Sequence, residues 1–145
     1  MKRLAMALSM ILCCILAAQD TLSPAMERLA KTERFAFGGV GIAGVTSPGE
    51  KDFRVIVSQP PEIALDRFEK LYATGNAQAQ AYALAGIRKL DPKRFKQLLG
   101  SVKNSNKPIV TMAGCIVDRQ TFGAVAREIE SGHYDLWIER GNETR

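Results

Sequence analysis

Three side chains in the C-terminal third, Cys115, His133 and Asp135, have the types that nucleophilic catalysis needs. They supply a thiol, an imidazole to take its proton and a carboxylate to orient the imidazole. His133 is the only histidine in the chain. Reactive thiols sit at helix N-termini or beside a cation, whereas Cys115 opens the β-branched run Cys115-Ile116-Val117 with no capping residue after it. A cysteine in such a run packs as a small hydrophobe, so a buried, inert Cys115 is expected and thiol catalysis is the rival reading. No metal site is expected, because one His and Cys115, the one cysteine beyond Cys13 and Cys14 near the N-terminus, leave a zinc shell incomplete.

Gly39-x-Gly41-x-x-Gly44 has the spacing with which backbone N–H groups approach a pyrophosphate at a helix N-terminus. The motif needs a helix opening inside it, but Val45-Thr46-Ser47-Pro48 delays the next helix by several residues. The expectation is a tightly packed glycine loop and no cofactor. The loop leads into Ser47-Pro48-Gly49-Glu50, a capping box in which Ser47 accepts from a free N–H while Glu50 reaches back.

Cations cluster further along. Arg88, Lys89, Lys93, Arg94, Lys96, Lys103 and Lys107 stand against Asp91 alone, a net of +6 over residues 88–107. Such a stretch suits an acidic protein, an anionic lipid or a cell-envelope polymer. It does not suit nucleic acid, because the one aromatic within it, Phe95, lies on an apolar helical stripe. The candidate binding residues are therefore Arg88, Lys89, Lys93, Arg94 and Lys96, together with Gly39, Gly41 and Gly44 of the loop.

The elements that must position these residues follow from periodicity. Ser23-Pro24 opens a short helix expected to run to about Glu33. The glycine-rich apolar segment from Phe35 to Val45 reads as a buried loop or a short extended piece. A helix is predicted over residues 48–58 on the stripe Phe53, Ile56 and Val57. Pro60-Pro61 starts another, with Ala64, Phe68, Leu71 and Tyr72 on one face and Gly75 as its stop. Asn76 caps an alanine-rich central helix carrying Ala79, Ala83, Leu84, Ile87 and Leu90. Asp91-Pro92 opens the next, striped by Phe95, Leu98, Leu99 and Val102. Two β-branched runs around Gly114 predict a small hairpin or bulged strand over residues 109–117. A last helix starts near Thr121 and ends at Gly132, and Tyr134 to Ile138 reads as a final extended piece.

The fold class is accordingly mainly α: one compact domain of five or six short helices, with a helical hairpin in the middle. Residues 62–99 resemble, in local pattern, one unit of a HEAT-type or armadillo-type array, although no second copy occurs in the chain.

At the N-terminus Lys2 and Arg3 precede Leu4 to Ala18, 15 residues without a charge. That order is a signal peptide's, and the stretch falls short of the about 20 residues a membrane span requires. Cleavage after Ala18 would leave residues 19–145 as a single helix-rich domain with Cys115 as its one thiol and a net charge of +3. The expectation is an exported protein, periplasmic or secreted, with no transmembrane span after cleavage. With catalytic chemistry weakly specified, it is expected to act as a binding or interaction module. The alternatives are a thiol-dependent enzyme using Cys115 and His133, and a structural protein of the cell envelope.

Overall fold

The computed structural model describes residues 22–140, and the expected signal peptide lies outside the described residues. Among the described residues the chain forms seven helices and two small antiparallel hairpins. Helix α1 covers residues 22–30. Hairpin β1 (Gly39–Val40) and β2 (Val45–Thr46) follows, then α2 (Pro48–Val57), α3 (Pro61–Thr74), α4 (Ala77–Leu90) and α5 (Pro92–Val102). The second hairpin, β3 (Pro108–Ala113) and β4 (Ile116–Thr121), leads into α6 (Phe122–Glu130) and α7 (Asp135–Arg140). No described helix is long and apolar enough to cross a membrane.

Side-chain caps set most of the helix starts. Ser47, Asn76, Asp91 and Thr121 each accept the backbone N–H three residues ahead, which satisfies one of the free donors of a first turn. Helix α1 includes Pro24 as expected, but Ser23, expected as its cap, is already helical, and the helix stops at residue 30 instead of 33. Its last turn is closed from outside: the Asn76 backbone N–H donates to Ala30 O and the Asn76 side chain donates to Thr32 O at 2.8 Å. A second difference lies at Tyr134 to Ile138, where Tyr134 ends a turn and the rest is helical. Gly132, at φ +80°, turns the chain, and Trp137 and Ile138 N–H groups then both bond to Tyr134 O. Tyr134 and Ile138 fall four residues apart on the buried face of that turn.

Helix α4 is the centre. Ala77, Ala79 and every residue from Ala81 to Ile87 are buried, so the helix is apolar all round, as a fully enclosed one must be. Its alanines and Gly86 let neighbours approach closely. It packs against α2, α3, α5, α6 and β3, and the two-residue link Gly75-Asn76 folds it back along α3 as the expected helical hairpin. Phe35, Phe37, Phe53, Phe68 and Tyr82 form a chain of edge-on and tilted ring contacts, with centroids 4.8–6.1 Å apart where they touch. Such pairs add to the burial energy of their area.

Two glycines in helices test this packing in opposite directions. A Cβ on Gly86 would lie 2.4 Å from the Phe68 ring, so Gly86→Ala is expected to destabilise by about 1–3 kcal/mol through overpacking. A Cβ on Gly100 meets nothing within 4 Å, so Gly100→Ala is expected to stabilise by up to about 1 kcal/mol through helix propensity. Urea unfolding of the two variants checks both signs.

Candidate functional site

The glycine loop is the turn of the first hairpin. Gly41 and Gly44 have φ of +71° and +60°, a region that favours glycine. Gly39 allows a close approach, since a Cβ there would lie 2.8 Å from Gly44 O. The donors that a phosphate would need are engaged within the protein. Gly41 N–H donates to Gly114 O at 2.8 Å, and Gly44 N–H to Gly41 O at 3.1 Å. No helix opens inside the motif; α2 begins at Pro48. Gly39, Gly41 and Gly44 thus shape the backbone and join this turn to that of the second hairpin.

At the start of α2 the box closes on one side only. Ser47 Oγ accepts the Glu50 N–H at 3.1 Å, but Glu50 does not reach back to Ser47. Its carboxylate instead accepts Gly38 N–H at 2.9 Å and Arg54 Nη2 at 2.6 Å. Burial pushes the Glu50 pKa up, and Arg54 and the Gly38 N–H pull against it.

Cys115 is exposed, which overturns the expectation of a buried thiol. The Ala113↔Ile116 pair closes the second hairpin, so Cys115 falls in the two-residue turn with Gly114, out of reach of the core. Asp135 does not orient the imidazole. Both of its oxygens accept from the Arg88 guanidinium, Oδ2 at 3.2 Å. His133 is exposed, with its ring edge-on to Tyr134 at 4.8 Å and 6.0 Å from that of Trp137. Among the described residues no cluster of His, Cys, Asp and Glu could hold a metal ion.

The basic stretch is divided by ion pairs and a hydrogen bond to other parts of the fold. Arg88 is held by Asp135, Arg94 donates to Glu69 at 2.9 Å, and Lys107 donates to Gln80 at 2.9 Å. Lys89, Lys93 and Lys96 are exposed and form no ion pair among the described residues. With Lys103, likewise exposed and in no such pair, they are the part of the stretch left to meet an outside anion.

Two features went unnoticed in the sequence. First, the joined hairpin turns carry Ile42, fully exposed, and Val45, Ile116 and Val117, each more than half exposed. A conspicuous apolar tip of this kind is what contact surfaces leave uncovered. Second, a cleft of about 210 Å³ opens between the segment 35–39, β3, α6 and α7, with Phe37, Gln120, Glu128, His133, Tyr134 and Trp137 in its walls. Tyr134 Oη donates to Glu128 Oε2 at 2.5 Å. Burial first, then the adjacent Glu128, push the Tyr134 pKa up, so the phenol stays protonated as a donor. The single His immediately before this tyrosine and the single Trp three residues after it, in His133-Tyr134-x-x-Trp137, were the one signal of the cleft in the sequence.

A larger groove of about 570 Å³ lies on the other side of the segment around Ala36, beside α1 and the start of α2. Arg28, Lys31 and Arg34 face Glu33 and Asp52 there, and Arg28 Nε donates to both Asp52 oxygens at 3.1 Å. A third groove, of about 250 Å³, includes Glu27, Arg67 and Lys70.

The position of Cys115 makes a direct prediction. A thiol reagent is expected to label it fully in the folded protein, at a rate within about twofold of the denatured chain and unchanged in His133→Ala. Labelling accelerated by His133 would instead indicate an activated nucleophile. No family model matches the chain, and neither the curated proteins nor the solved structures hold a significant match to it.

Proposed function

We propose that this chain is an exported binding module that meets a protein partner through the apolar tip of its two joined hairpins. The observation that carries the reading is the exposure of Ile42, Val45, Ile116 and Val117 on two turns bonded to each other through Gly41 and Gly114. Fully burying a branched aliphatic side chain contributes about 1.5–3 kcal/mol. Ile116 and Val117, neighbours on one strand, point to opposite faces, so a partner that covers either of them with the adjoining turn offsets a meaningful share of the cost of association. The tip stands on a fixed base, because β3 is bridged to Phe35 on one side and paired with β4 on the other, and the turn residue Gly114 is bridged to Val40. Asp118 and Arg119 in exposed β4 place charge on the sheet edge, which discourages indiscriminate strand pairing. The charge-then-apolar order of residues 2–18 supports export.

A second reading, contact with an acidic protein, an anionic lipid or an envelope polymer, is supported by Lys89, Lys93 and Lys96. One experiment separates the two. Photoreactive side chains are placed singly at positions 42, 116, 93 and 96 in the producing cell. The expected result is discrete protein adducts from 42 and 116, lost on adding Ile116→Asp to the position-42 probe without change in the thermal midpoint. Adducts from 93 and 96 alone would favour the basic face, and no adduct from either hairpin position would overturn the primary reading.

A further inference from the structure

The cleft beside α7 differs in chemistry from the two other grooves described above. The whole chain carries an excess of five cations, and both other grooves have Lys and Arg in their walls. This cleft is lined by no Lys or Arg, and by one carboxylate, that of Glu128. Tyr134 engages Glu128 Oε2, and no described cation lies within ion-pair distance of the carboxylate. The half-buried carboxylate thus has no counter-ion among the described residues.

Aromatic rings line the same cleft. The Tyr134 ring lies 5.7 Å from Phe37 and 6.5 Å from Trp137, and His133 lies against both Tyr134 and Trp137. The indole has little freedom to move, since it packs on Gly38 so closely that a Cβ there would come within 2.6 Å of Trp137 Nε1. Ring faces carry negative electrostatic potential, and a cation within about 6 Å of one is attracted, most strongly when desolvated. Gln120 and buried Thr111 add neutral polar groups, with Gln120 Nε2 donating to Thr111 Oγ1 at 3.3 Å. At about 30 Å³ per water the space equals about seven waters, room for a trimethylammonium-sized group but not for a drug-sized ligand.

We propose that this cleft is a binding site for a small organic ammonium group, held by the rings of Tyr134, Trp137, Phe37 and His133 with Glu128 as its counter-ion. The proposal does not rest on the apolar side chains of the hairpin tip, although Gly39, Ala113 and Gly114 line the cleft. The same ammonium chemistry occurs in a free solute and in a choline-bearing lipid headgroup.

Trp137 is the only tryptophan in the chain, so its emission reports on the cleft alone. Choline chloride is titrated into the full protein at constant ionic strength, beside the uncharged isostere 3,3-dimethylbutan-1-ol. The expected result is a saturable emission change with choline at an affinity at least about tenfold above the isostere's, and about tenfold weaker choline binding in Glu128→Gln. That variant keeps an acceptor for Tyr134. The comparison of choline with its isostere needs no variant, so it stands whether or not Glu128→Gln folds. Phosphatidylcholine vesicles form the second arm. A response to choline alone assigns the site to a free solute, and a response to vesicles as well assigns it to a headgroup. Equal binding of choline and the isostere, or no saturable response to choline or vesicles, would overturn the proposal.

Discussion

The hydroxyl of Tyr82 is the contact on which the non-helical half of the molecule hangs. It projects from the middle of α4, fully buried, and bonds both polar groups of one residue 46 positions earlier, accepting Ala36 N–H at 2.9 Å and donating to Ala36 O at 2.7 Å. Ser47 Oγ donates to the same carbonyl at 3.0 Å, so the cap of α2 is held at the same point. Gly49 permits the approach, because a Cβ there would lie 2.7 Å from the Tyr82 hydroxyl. Burial pushes the Tyr82 pKa up to about 12, which keeps the phenol protonated and able to donate throughout the neutral range. Buried backbone groups must find partners, and here a side chain from a helix provides what a neighbouring strand would.

From that anchor the rest of the β structure follows. With Ala36 fixed, Phe35 on one side exchanges bonds with β3, donating to Val110 O at 2.8 Å and accepting Met112 N–H at 3.0 Å. On the other side Phe37 enters the aromatic core, and Gly38 N–H meets Glu50. The chain then turns through the first hairpin and is bonded to the second at Gly114. Two-stranded hairpins are marginal by themselves, and these persist because one strand of each is tied to a segment that α4 holds. The apolar tip and the ammonium cleft are therefore both presented by a scaffold whose rigidity originates in the helices.

The helical part was legible in the sequence because its signals are local. Asn76 and Asp91 cap at the positions where they stand, and the stripes through Phe68 and Phe95 face the core as their spacing implies. Tyr82 lay off the stripe of Ala79, Ala83 and Ile87, and became visible as core only once α4 proved to be enclosed on every side. Glu50 answered to Gly38 and Arg54 instead of its own cap, and α1 was closed by Asn76, partners that no local window contains. The candidate sites diverged for the same reason. Arg88 and Asp135 met across 47 residues and removed each other from the expected surface and triad, while the cleft drew its walls from residues 35 to 137.

The most direct test of this account is amide hydrogen exchange on Tyr82→Phe, which removes one oxygen from the core and leaves the ring in place. The account predicts that protection across residues 35–40 and both strands of the second hairpin falls by at least about tenfold relative to α3 and α4, the scale of one lost buried hydrogen-bond partner. Hairpin protection that stays in step with those helices, whether both fall together or neither changes, would contradict it.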